Sequence, residues 1–309
     1  MKNESYSVAC IILNYNDAPT TINLVDSIKD YTLIDYIVIV DNCSTDDSWE
    51  QMQRYKSDKI HVIKSPKNRG YGAGNNIGLR YSSDTLNADY SIIANPDVFF
   101  DEECVRKFLL TLQEDSSVAV VSAKQSNSLD CAWKNCFTLQ YVLATSLFFE
   151  VWLKIRCYPS KYFKNKKFAE VFAVPGSLLM VDTKKMLQYG MYDEDFFLYY
   201  EEPVLAQKFA TAGLKTILRL DCSYVHNHHV SISKTYRRWS QQHAILLKSA
   251  ELFLKKYKKA NAFQMFFAKI WFAYTKVEFL LYDKFHIIKK ILTKLILNIL
   301  IIKSKRKYL

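Results

Sequence analysis

Residues 8–41, VACIILNYNDAPTTINLVDSIKDYTLIDYIVIVD, hold two short apolar runs around one amphipathic segment. Val8 to Leu13 and Tyr36 to Val40 are rich in Ile and Val and read as buried strands. Between them Pro19 can open a helix, because its fixed φ suits a first turn, and Leu24, Val25 and Ile28 fall on one side of that helix. Strand, crossover helix and strand imply parallel pairing, and so an α/β architecture.

The same alternation continues outward. Ile60 to Ile63, Tyr90 to Ala94 and Val118 to Val121 repeat the strand signature, and Ser44 and Asp47 stand at capping-box spacing before Trp49 and Met52. A second block reads as a strand at Ser177 to Val181, a short helix ending near Gly190, an acid-bearing helix from Glu201 to Ala212 closed by Gly213, and a strand at Thr216 to Leu218. The expectation is a mostly parallel sheet flanked by helices over residues 1–232. Ligands of such sheets bind beyond the carboxyl ends of the strands, here the loops after Leu13, Val40, Ile63 and Ala94.

Half of the 309 residues are hydrophobic and only seven are Gly and six Pro, which excludes disordered, collagen-like and repeat compositions. Charge is uneven: residues 233–309 carry 18 Lys and Arg against three acids, net +15, so the first 232 residues carry −4 of the chain's +11. An acidic body that binds an anion must bring its own cation, whereas the tail can meet an anionic surface directly. Seven scattered cysteines without metal-type spacing point to reduced thiols in the cytosol, and the polar stretch Met1 to Ser7 lacks the apolar centre of a secretory signal.

Residues 233–309 form a basic, aromatic helical extension in which Lys269, Lys276, Asp283 and Lys290 recur every seven residues as one polar stripe. Ala262 to Tyr282 has the length of a bilayer span, but Lys269, Lys276 and Glu278 make spanning costly. A helix lying at the cytoplasmic membrane face is expected, each basic residue adding about 1 kcal/mol near anionic lipid. Packing on the body or on a second copy of the chain is the other reading of these helices. The body has no helix-turn-helix, zinc-finger or RNA-recognition signature, so nucleic acid is not an expected partner.

Asn14 and Asn16 follow the first strand, and Asp41, Asn42 and Ser44 follow the second. Their side chains suit a base and ribose, and they suit turns and helix caps equally. Asn68 to Gly78, NRGYGAGNNIG, packs four of the seven glycines into nine residues, so backbone must approach something closely there. It is neither the dinucleotide fingerprint nor a P-loop, because the glycine offsets differ and Lys-Ser/Thr is missing. Asn95-Pro96-Asp97 leaves the strand ending at Ala94, which brings Asp97 to the sheet's carboxyl edge, where it suits an oxygen ligand for Mg²⁺ or Mn²⁺ against a diphosphate; taken in isolation the tripeptide reads first as a common turn.

The set Asp41-Asn42-x-Ser44, Asn68 to Gly78 and Asn95-Pro96-Asp97 resembles the family 2 glycosyltransferases of GT-A fold, especially their rhamnosyltransferase-like branch. The resemblance runs on through Phe196-Phe197-Leu198-Tyr199-Tyr200-Glu201-Glu202 to His226-Asn227-His228-His229. It implies a UDP- or dTDP-sugar held by Asn14, Asn16, Asp41, Asn42, Ser44, Asn68, Gly70, Asn76, Asn95 and Asp97. It makes Asp97 the aspartate of a degenerate DxD motif, with Asn95 where many relatives carry the first aspartate and His226, His228 or His229 completing the sphere of Mn²⁺ or Mg²⁺.

The implied reaction is inverting transfer of rhamnose or another hexose to a hydroxyl of a glycan or lipid-linked acceptor, in cell-surface polysaccharide synthesis. Glu202 takes the place of the family's catalytic base, usually Asp, with Glu201 beside it; their like charges raise one pKa. Pro203 departs from the pattern, and Val174-Pro175-Gly176-Ser177 corresponds to the acceptor-side wall. The weakened DxD also fits a nucleotide- or glycan-binding relative that has lost catalysis.

Overall fold

The computed structural model of the protein describes residues 6–126, 132–227 and 238–305, with side chains of the last helix as far as His286. The opening stretch folds as β1 (Val8–Asn14), α1 (Ala18–Ile28) and β2 (Tyr36–Asp41). Next come α2 (Ser48–Gln53), β3 (Ile60–Lys64), α3 (Tyr71–Asp84), β4 (Tyr90–Ala94) and the two-residue β5 (Val98–Phe99). Then follow α4 (Glu102–Glu114), β6 (Val118–Gln125), α5 (Thr138–Leu143), a π-helical turn Phe148–Trp152, and α6 (Ser160–Phe163). The chain continues through β7 (Phe168–Val171), β8 (Leu178–Asp182), α7 (Thr183–Tyr189), α8 (Glu201–Thr211) and β9 (Lys215–His226). Two helices finish it, α9 (Trp239–Lys256) and α10 (Ala262–Lys305).

The sheet runs β3-β2-β1-β4-β8-β6-β9-β5, with β7 also on β9. Its first half, β3-β2-β1-β4, is wholly parallel. β8 enters between β4 and β6 antiparallel to both, and β9 pairs parallel with β6 but antiparallel with β7 and β5. The result is a mostly parallel, mixed sheet flanked by helices. Pleat alternation divides its side chains: Val8, Cys10 and Ile12 pack under α1 and α4, while Ala9 and Ile11 face α3, α7 and α8.

β9 is longer than the Thr216 to Leu218 expected from the sequence, because after β6 its ladder is taken up by β5, where Val98 pairs with His226. The capping box expected at Ser44 and Asp47 does not form. Asp47 precedes α2 without a side-chain cap, Asp46 accepts from Ser48 N instead, and the Ser44 hydroxyl serves the β1 loop.

The C-terminal helices close against the body through a third core. Leu247, Ala250 and Phe253 of α9 and Met265, Ala268 and Phe272 of α10 pack with Tyr141, Phe196, Tyr200 and Val204. Asp283, which the heptad reading placed on a polar stripe, is buried. Its carboxylate accepts from the Trp239 and Ser240 amides at 3.0 and 3.1 Å and so caps the start of α9. The side chain of Lys290 lies outside the described residues.

Opposite this packed side, Phe263, Phe266, Ile270, Tyr274, Val277, Leu281 and Phe285 are each more than half exposed, at spacings of three and four that place them on one face of α10. Lys269, Lys276 and Lys284 are exposed beside them. Among the described residues no helix is long and apolar enough to cross a membrane.

Candidate active site

Parallel register brings the first two motifs together, since Asn14 and Asp41 are partners at the ends of β1 and β2. Asn14 Nδ2 donates to Asp41 Oδ1 at 3.3 Å and to Ser44 Oγ at 3.1 Å, while its Oδ1 accepts from Thr21. Ser44 Oγ also accepts from Asn16 N, and Asp41 Oδ2 from Ser44 N. Asn14 and Asp41 have no exposed surface. They fasten the two loops to each other, and the positions open to a ligand are Asn16, Ser44 and the half-buried Asn68.

Asn42 Nδ2 binds Asn68 Oδ1 and the Gly70 carbonyl, and Asn68 Oδ1 accepts from Gly70 N. The close approach that the glycine cluster requires is made to the protein itself. Gly70 has φ +101°, and a Cβ there would sit 2.0 Å from the Phe197 carbonyl oxygen, to which Tyr71 N donates. Gly74 and Gly78 let α3 lie directly on Leu13 and Ile11. Asn76 is occupied likewise: its amide donates to the Tyr192 carbonyl and to Glu194, and its oxygen accepts from Tyr192 N. Asn76 ties α3 to the 192–194 turn and is not among the residues around the cavity described next.

That cavity, about 520 Å³, opens at the carboxyl edge of β4. Its walls include Asn95, Gly176, Glu201, Glu202 and His226, and Leu246 of α9 reaches it from the C-terminal extension. Tyr71, which the motif reading passed over, holds its edge: its single hydroxyl proton lies between Asn95 Oδ1 (3.0 Å) and the Gly176 carbonyl (2.9 Å). Trp133 and Arg156 form the far wall. Arg156 is held in place by its paired contacts to Glu150. Neither residue stands in a recognisable motif, so only the fold could place them here.

Asp97 lies behind His226, its Oδ1 3.1 Å from His226 Nε2, with both side chains roughly nine-tenths buried. The pairing follows from β5 meeting β9, and Asn227 N donates to the Asp97 carbonyl in the same ladder. The carboxylate suits a hard ion such as Mn²⁺ or Mg²⁺, and the imidazole adds a nitrogen ligand beside it. Among the described residues no group of three or more His, Cys, Asp or Glu is placed to hold a metal, so these two would need oxygens from a ligand to complete a sphere. His228 and His229 lie outside the described residues.

Glu201 and Glu202 open α8 immediately after Tyr199 and Tyr200, whose φ values of +69° and +71° put two consecutive side-chain-bearing residues in the left-handed region. Such strain persists only where packing imposes it, and Tyr200 is locked among Tyr141 and Phe253. The turn aims both carboxylates inward. Gly176 N donates to Glu202 Oε1 at 3.3 Å, and a Cβ at Gly176 would stand 3.1 Å from that oxygen. The partner that Gly176 admits is therefore Glu202. Glu201 Oε1 is buried without a hydrogen-bond partner. Burial, and then the charge of Glu202, push the Glu201 carboxyl well above the ordinary range. Burial also raises Glu202, opposed by its helix-start amide, the Gly176 N–H and Arg156.

Known proteins are similar to this chain in sequence or in fold. The chain is 31% identical over 195 residues to the low-salt glycan biosynthesis hexosyltransferase Agl10 of Haloferax volcanii, a match covering 63% of this chain and 59% of that relative's length. Its fold is similar to that of GalNAc-T7 solved with UDP, GalNAc and Mn²⁺ (TM-score 0.56, 14% identity, 72% of this chain and 44% of that one). It is similar also to the mannosyltransferase PcManGT from Pyrobaculum calidifontis in complex with GDP-Man and Mn²⁺ (TM-score 0.55, 17% identity, 87% and 74%). At these identities the two structures speak for the GT-A fold alone. The profile of glycosyl transferase family 2 matches residues 9–172, more than half of the sequence, and the chain belongs to that family.

Proposed function

We propose that the protein transfers a hexose from a nucleoside diphosphate donor to a hydroxyl of a glycan or lipid-linked acceptor, with inversion at the anomeric carbon. The observation that carries this reading is convergence: Glu201, Glu202, Asn95 and the His226 ring backed by Asp97 surround one cavity beside the β1 and β2 loops. Glu202 accepts the acceptor hydroxyl's proton as the new bond to the anomeric carbon forms and the bond to the diphosphate breaks. A carboxyl raised above its ordinary range is better matched to that task near neutral pH. Burial favours proton uptake by Glu202, and Gly176 N fixes its orientation.

Asp97 and His226 are the residues to hold a divalent cation, which when bound neutralises charge on the leaving diphosphate. The ligands of the similar folds, UDP and GalNAc in one and GDP-Man in the other, each accompanied by Mn²⁺, support a nucleotide-linked hexose. UDP- or dTDP-hexoses, rhamnose included, are the donors to try first.

The exposed apolar face of α10, flanked by lysines, supports a second part of the proposal: peripheral docking on the anionic cytoplasmic face of a membrane, within reach of a lipid-linked acceptor. The catalytic reading is tested by thermal shift and donor hydrolysis across a panel of nucleotide sugars with and without Mn²⁺. Asp97→Ala is expected to lose the Mn²⁺-dependent donor shift, and Glu202→Gln to keep it while losing transfer. A chain that binds donors but hydrolyses and transfers none would instead be a binding protein.

A further inference from the structure

Behind the Trp133 and Arg156 wall lies a second, larger cavity of about 1240 Å³. Six lysines line it, Lys124, Lys134, Lys154, Lys161, Lys164 and Lys166, and among the described residues no Asp or Glu lines it. The two cavities share a partition. Trp133 and Cys157 face each other in an isolated bridge, and Trp133 and Arg156 border the catalytic side while their chain neighbours Lys134, Ile155 and Cys157 border the other. Gln125 likewise faces the catalytic cavity and Lys124 and Ser126 the lysine cavity.

Six lysines around one open space make it electropositive, and a multivalent anion is the ligand complementary to that charge. The cavity is far larger than one phosphate needs, and Tyr158 and Phe163 add apolar and aromatic surface on which a sugar or alkyl chain can rest. The residues are separate from Asp97, His226 and the β1 and β2 loops, so the anion bound here is not the donor's diphosphate.

We infer that this lysine cavity binds the phosphate-bearing portion of the acceptor, placing its saccharide hydroxyl over the partition toward Glu202. This deepens the transferase reading and rests on it. A phosphate can come from a lipid diphosphate linkage or from a phosphodiester polymer, and the chemistry at the lysines is the same for both.

The test is calorimetric titration of the full chain with farnesyl diphosphate-linked N-acetylglucosamine, a glycerol-phosphate oligomer, and octyl β-N-acetylglucosaminide, which lacks phosphate. The triple variant Lys161→Glu, Lys164→Glu, Lys166→Glu is compared, with melting curves to confirm folding and the corresponding triple Gln variant as an uncharged control. The expected result is binding of a phosphorylated probe that weakens about tenfold or more in the Glu variant, less in the Gln variant, and falls with added salt.

Preference for the lipid-linked probe assigns the phosphate to a lipid linkage, and preference for the oligomer assigns it to a polymer. Equal binding to wild type and Glu variant overturns the inference. So does a wild type that binds the phosphate-free glycoside as well as the phosphorylated probes, or one that binds a short single-stranded DNA as tightly. Donor hydrolysis by the wild type is measured in parallel without acceptor. Its absence counts against the transferase reading alone, whereas loss of lysine-dependent binding counts against this site alone.

Discussion

Glu202 and Glu201 sit one residue apart in sequence yet have different surroundings. Glu202 has an amide from Gly176 and faces the cavity, whereas Glu201 is buried with one oxygen unpartnered. Replacing Glu202 by Gln removes the proposed proton acceptor and keeps the shape, so transfer should fall by roughly 10²–10⁴-fold in kcat with donor binding retained. Activity of Glu202→Gln near that of wild type would remove the role. Glu201 makes a separate prediction about stability. Its folded-state carboxyl holds a proton to higher pH than in the unfolded chain, so its cost to folding is absent below about pH 4 and grows as pH rises. Glu201→Gln should therefore melt above wild type at about pH 8, with the gap closing toward about pH 4. A gap that does not change with pH would contradict the burial argument. The acidic pair could be read in the sequence; Gly176 as its support could not, because nothing local says which backbone a distant carboxylate will meet.

Among elements, β9 and α10 differ most from what local pattern implies. β9 alternates weakly and carries Arg219, Asp221 and Ser223 at alternate positions, so periodicity alone ends it at Leu218. Pairing with β6 and then β5 extends it, and that extension delivers His226 to Asp97. In α10 the seven-residue recurrence of Lys269, Lys276 and Asp283 reads as one solvated stripe. A period of seven drifts around a 3.6-residue helix, and α9 claims Asp283 for its first amides. Asp283→Ala leaves those amides without their acceptor and should cost about 0.5–2 kcal/mol, seen as a lower urea midpoint with an unchanged slope. No change in the midpoint would mean that water replaces the cap at no cost.

Across the whole molecule, an acidic body meets a basic C-terminal region, and the described part of that region both completes a core and leaves an apolar face uncovered. The protein should float with vesicles containing anionic phospholipid and not with neutral ones. Lys269→Glu, Lys276→Glu and Lys284→Glu together should weaken this, as should salt. Vesicle binding indifferent to charge, or a stable dimer that buries the same face, would redirect that face to another partner. The sequence by itself determined the βαβ beginning, the loops at the carboxyl ends of β1 and β2 and the acidic start of α8, because pleat and helix periods and turn residues act over a few neighbours. Only the tertiary structure decided that β8 runs antiparallel, that Asn14, Asp41 and Asn76 hold loops together, and that Trp133 and Arg156 divide two cavities. Those outcomes depend on which distant segments pack together, and contacts between residues a hundred positions apart leave no periodic trace in the chain.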